Sequence, residues 1–124
     1  MRLVFLNALP LNAIDFEAFT LYINRITFDD LRELLRKADE VVNFIRHPAT
    51  LKIIQEKLGI SLSPSSQLYK YRHGDLLVIV TLKKPVRGVE AMNITESDIL
   101  LYLVRVDKEM SDEELSELID SVFG

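Results

Sequence analysis

The sequence predicts an α/β fold: a single domain with a mixed sheet of about five strands flanked by helices, near the average sheet size. Three observations carry that reading. Short apolar runs of strand length alternate with stretches whose apolar residues recur at helical spacing. The chain has 124 residues, 48% hydrophobic and 27% charged, enough for one core and typical of a globular protein. No repeat, low-complexity tract or linker divides it, so residues 1–124 form one unit.

Each element follows from local chemistry. "RLVFLN" (2–7) is a short apolar run suited to a buried strand, and Pro10 with Asn12 marks the turn after it. "FTLYINRI" (19–26) alternates as a second strand. Thr27 opens "TFDDLRELLRKA", where Thr27 and Asp30 have the spacing of a capping pair and Leu31, Leu34 and Leu35 form the apolar stripe. "VVNFI" (41–45) is either a strand or an extended lead into the next element. "HPATLKIIQEKLG" reads as a helix with Pro48 in its first position, Ala49, Ile53, Ile54 and Leu58 on its apolar side and Gly59 as its stop. After the polar turn "SLSPSSQ", "LYKY" and "DLLVIVTL" are expected to form an antiparallel hairpin around "RHGD". "KKPVRGVEAMNITESD" is too irregular for a strand, and "ILLYLVRV" (99–106) is the last one. Ser111 to Glu114 has the form of a capping box opening a C-terminal helix over 111–123, with Leu115, Leu118, Ile119 and Val122 on one face.

Composition removes several classes of function. A net charge of −4 argues against broad binding of duplex nucleic acid, which needs a large basic face, but allows one small basic pocket. With no cysteine there is neither a disulfide framework nor a thiolate nucleophile or ligand. No apolar run reaches the ~20 residues that span a bilayer, so no membrane role is expected. The opening "MRLVFLNALPLNAIDF" is interrupted by Asn7, Pro10, Asn12 and Asp15 and lacks the cleavage site of a signal peptide, which makes the cytoplasm the expected location. No His-x-x-x-His pair is present and the acidic residues sit mostly in helix-start positions, so neither a metal nor another cofactor is expected.

The residues around His47, one of two histidines, have the most chemical content. With Pro48 at the first helical position, His47 becomes the N-cap, and the N–H groups of Ala49, Thr50 and Leu51 face the same way beside the positive end of the helix dipole. Such a terminus suits a phosphate. Thr50 adds a hydroxyl and Arg46 a guanidinium able to grip phosphate oxygens.

"FLNALPLNAI", the helix starting at "IRHPAT" and the later "RGVE" together resemble the small viral anti-CRISPR ring nucleases over roughly residues 1 to 106. These are dimeric α/β proteins, widespread in archaeal viruses, that destroy the cyclic tetra-adenylate messenger of type III CRISPR defence. The resemblance implies that His47 is a general acid, that Arg87 and Glu90 are the arginine and glutamate three residues apart that stand near it, and that Asn7 contacts the ligand. The chain departs from the family at Pro10, where a small hydroxyl residue is usual, at Arg46, where glycine is common, and in the order of "PVRGVE". The resemblance further implies a homodimer that opens the ring without metal, a 2′-hydroxyl attacking the adjacent phosphorus at two of the four linkages to leave linear di-adenylate with 2′,3′-cyclic phosphate ends. A two-fold interface suits a ligand with internal rotational symmetry.

Plainer readings stand beside these. The plainer reading makes Arg87 and Glu90 an exposed ion pair of little energetic value, Asn7 a residue that only bonds the turn after the first strand, and Tyr69 and Tyr71 packing residues, the alternative for one tyrosine being to stack on adenine. His73 is expected in a turn. Lys83 and Lys84 are either a solvated pair or part of the pocket's field. A non-catalytic dimer that binds a cyclic nucleotide or a protein partner would need the helix-start anion site but has less use for His47 with Glu90.

Overall fold

The computed structural model describes residues 1–16, 18–65, 67–84, 94–107 and 120. Five strands form one sheet: β1 (Arg2–Leu6), β2 (Thr20–Ile26), β3 (Glu40–Asn43), β4 (Leu76–Leu82) and β5 (Ile99–Asp107), in the order β2-β5-β4-β1-β3. β1 lies between β3 and β4 and runs parallel to both, whereas β5 is antiparallel to β4 and to β2. The expected single-domain mixed α/β sheet is therefore present.

Burial explains the sequence pattern of each strand. Leu3, Val4, Phe5 and Leu6 are all buried, as a central strand covered on both faces requires. They divide by alternation. Leu3 and Phe5 join Val78, Val80, Ile99 and Leu101 on the face that receives Leu31 of helix α1 (Phe28–Lys37) and Leu51 and Ile54 of helix α2 (Pro48–Leu58). Val4 and Leu6 join Leu77, Val104 and Val106 on the opposite face, which Ala13, Ile14 and Tyr69 cover.

Local signals set the helix ends. The Thr27 hydroxyl accepts from the Asp30 N–H at 3.1 Å while the Asp30 carboxylate accepts from the Thr27 N–H at 2.9 Å, so the capping box at α1 is complete. Gly59 stops α2 in the left-handed conformation, φ +65°, and its N–H donates to the Gln55 carbonyl.

The hairpin expected over 68–82 does not form. Both edges of β4 are occupied, by β1 and by β5, so residues 68–71 have no strand to pair with. They serve the second core face instead. Tyr69 is buried there, and the Tyr71 N–H donates to the Ala13 carbonyl at 2.9 Å. The turn itself survives: the Asp75 N–H donates to the Arg72 carbonyl, with Gly74 at φ +87°. The segment 41–45 resolves into strand to Asn43 and extended chain after it. The C-terminal helix expected over 111–123 lies outside the described residues apart from Asp120, which is helical. No helix of the described residues is long and apolar enough to cross a membrane.

Candidate functional site

The carboxyl ends of β1, β3 and β4 lie side by side because these three strands are parallel. Asn7 follows the first, the extended segment to His47 follows the second, and Thr81 and Leu82 close the third. Between β3 and β4 the chain crosses β1 through α2, so the start of that helix falls at the end of the sheet where open α/β folds bind ligands.

Pro48 places His47. Proline keeps the residue before it out of the helical region and is itself suited to the first helical position. His47 is accordingly extended, at φ −71° and ψ 112°, and its carbonyl accepts the first helical hydrogen bond, from the Leu51 N–H at 3.0 Å. The Leu51 amide is thereby used within the helix. Of the three N–H groups expected to face a ligand, those of Ala49 and Thr50 are the ones without a partner in the helix ladder.

The imidazole does not cap the backbone. Its Nδ1 lies 2.6 Å from the Thr50 hydroxyl oxygen, and Thr50 is 2% exposed. The Asn7 side-chain carbonyl accepts from the Arg46 N–H at 3.1 Å, tying the end of β1 to the chain that leads into α2. The Arg46 guanidinium donates to the Gln67 carbonyl at 3.1 Å.

Asn7, His47, Thr50, Val80, Thr81, Leu82 and Lys84 line a cleft of about 390 Å³. Three of the residues expected to meet a ligand thus come together, whereas Arg46 and Ala49 are not in its lining. Among the described residues of the lining, Lys84 is the cation. Thr81 was missed in the sequence, because membership in this cleft follows from β4 lying parallel to β1, which no local pattern encodes. Arg87 and Glu90 lie outside the described residues, and with them the pairing of Glu90 with the imidazole. His73 sits in the turn before β4, at the amino end of the strand whose other end borders His47. Among the described residues no group of three or more His, Cys, Asp or Glu is placed to hold a metal ion.

Residues 3–107 match the model of the STIV B116-like family. The chain belongs to the STIV B116-like family. The match spans both helices, nearly all of the five strands and every residue lining the cleft. The fold of this STIV B116-like chain is similar to that of B116 of Sulfolobus turreted icosahedral virus, with a TM-score of 0.66 at 19% identity over 84% of this chain and 98% of that one. No curated protein matches the sequence. At that identity the structural likeness carries the fold, and the chemistry of the cleft rests on this chain's own residues.

Proposed function

We propose that this STIV B116-like chain is a metal-independent ring nuclease. It opens cyclic tetra-adenylate to linear di-adenylate with 2′,3′-cyclic phosphate ends, and so antagonises or switches off type III CRISPR signalling. The observation that carries the reading is the imidazole of His47, half-buried in a cleft at the start of α2 with Lys84 in the same lining.

The substrate supplies the nucleophile. Its 2′-oxygen bonds to the adjacent phosphorus, the bond from phosphorus to the 5′-oxygen breaks, and the proton of the 2′-hydroxyl passes to solvent. The cleft's task is to align the three atoms and to protonate the leaving oxygen. An imidazolium suits that second task near neutral pH. The Ala49 and Thr50 amides, the positive end of the α2 dipole and Lys84 favour a phosphate beside it. In this reading Arg87 offsets charge on the phosphate oxygens and Glu90 favours the protonated ring, roles drawn from the resemblance to ring nucleases.

A homodimer belongs to the same reading. The sheet face opposite the helices carries an apolar cleft of about 480 Å³ that includes Leu11, Leu21, Ile23, Ile79 and Tyr102 and shares Asn7 and Thr81 with the His47 cleft. Leu11 and Ile23 are 64% and 58% exposed. A second copy on that face would bury them and bring two His47 clefts toward one two-fold axis, matching a ring with its own symmetry.

Labelled cyclic tetra-adenylate incubated with the protein in excess EDTA tests the proposal. The expected product is linear di-adenylate with a cyclic phosphate end, and the rate should fall ~10²- to 10⁴-fold in His47→Ala while the ring still binds. Tight binding with an intact ring would instead make the protein a non-catalytic sponge for the nucleotide.

A further inference from the structure

We infer that Thr50 is a positioning residue for His47: it holds Nδ1 of the imidazole and leaves Nε2 as the nitrogen that meets a ligand in the cleft. The contact is 2.6 Å between side chains three residues apart, from the N-cap to the third helical position of α2. That is the spacing of a capping box, but here the N-cap side chain bonds a side chain and not the helix backbone. Sequence reasoning gave the Thr50 hydroxyl to the ligand. Geometry gives it to the ring.

Burial makes the hold firm. Thr50 is one of the few buried polar residues of the described chain, in the lining of the cleft, and a buried hydroxyl needs a partner. As a β-branched residue in a helix it has few side-chain rotamers, so its oxygen is a fixed point and not a swinging one. The imidazole bonded to it cannot turn about its own side-chain torsions without breaking that contact. A hydroxyl both donates and accepts. It can accept from a protonated Nδ1 or donate to a bare one, so the ring keeps its orientation in either protonation state. A group that gives up a proton in each cycle needs that property.

The catalytic consequence rests on the nuclease reading above, but the hold itself does not, and two measurements separate them. His47 and His73 are the chain's two histidines, so in long-range proton–nitrogen spectra of the ¹⁵N-labelled full chain the His47 ring is identified by its loss in His47→Ala. Thr50→Val removes the hydroxyl at nearly constant shape, and Thr50→Ser keeps it. The Nδ1 resonance should move in Thr50→Val and stay in place in Thr50→Ser. An Nδ1 resonance unmoved in Thr50→Val overturns the inference. On cyclic tetra-adenylate, Thr50→Val should lower kcat on the order of 10- to 100-fold with KM unchanged, and Thr50→Ser should restore it. A raised KM with kcat intact would make Thr50 a ligand contact and overturn the positioning role. A wild-type chain that opens no ring fails the nuclease reading, and the spectra still decide whether Thr50 holds the imidazole.

Discussion

The Tyr69 hydroxyl donates a 2.6 Å hydrogen bond to the Asp75 carboxylate, joining the segment that failed to become a strand to the turn that leads into β4. The two residues are 6% and 3% exposed, and the same carboxylate accepts from the Arg72 N–H at 3.1 Å and lies 3.7 Å from the Arg2 guanidinium. Tyr69→Phe removes one bond to a buried charge, a loss of about 1.5 to 3 kcal/mol at neutral pH.

The same pair gives the stability a pH dependence. Burial above all, then the bond to Asp75 and the charge of that carboxylate, push the Tyr69 pKa well above the ordinary tyrosine value. The folded chain therefore holds this proton more tightly than the unfolded chain does. Below the unfolded value of about 10 both states keep it and the stabilisation is complete. As pH rises past that value the unfolded state alone ionises, and stability falls by about 1.4 kcal/mol per pH unit. Phenylalanine has no such ionisation. Urea midpoints of wild type and Tyr69→Phe should differ most near pH 7 and converge toward pH 11; parallel curves would remove Tyr69 from the alkaline transition.

Lys84 lines the cleft, whereas Lys83 is not in the lining and its N–H donates to the Asp98 carbonyl at 2.9 Å. In a His47→Ala background that stops turnover, Lys84→Ala should weaken binding of cyclic tetra-adenylate about tenfold and reduce the slope of log affinity against log salt by about one. Lys83→Ala should leave both unchanged. Equal effects of the two substitutions would mean that a general surface charge, not a pocket contact, attracts the ring.

Ile23 lies on the apolar face assigned to a second copy. A carboxylate there would have to be buried without a partner, so Ile23→Asp should raise the dimer dissociation constant on the order of 100-fold or more. Sedimentation at micromolar concentration should show a dimer for wild type and a monomer for the variant, with ring cleavage falling alongside. A dimer of unchanged mass in Ile23→Asp places the interface on another surface.

Much of this was legible locally. Thr27 with Asp30 announced the start of α1, and Pro48 with Gly59 announced both ends of α2, because caps and proline act through bonds within a few residues. His47 was legible as the N-cap for the same reason. "LYKY" misled, since Leu68, Tyr69, Lys70 and Tyr71 alternate as a strand does, yet a strand also needs an open edge beside it. The bond of the Arg46 guanidinium to the Gln67 carbonyl was not legible, because that partner is distant in sequence.

What the sequence determined by itself is the set of elements: the apolar runs, their lengths, where each helix begins and stops, and the imidazole at the head of α2. These depend on torsions and hydrogen bonds between near neighbours. What only the tertiary structure decided is adjacency: that β4 inserts between β1 and β5, that Asn7, Thr81 and Lys84 therefore meet at His47, and that α1 and α2 share one face of the sheet. Adjacency is settled by which distant surfaces bury best against each other, and that competition among all pairings has no counterpart in any short stretch of chain.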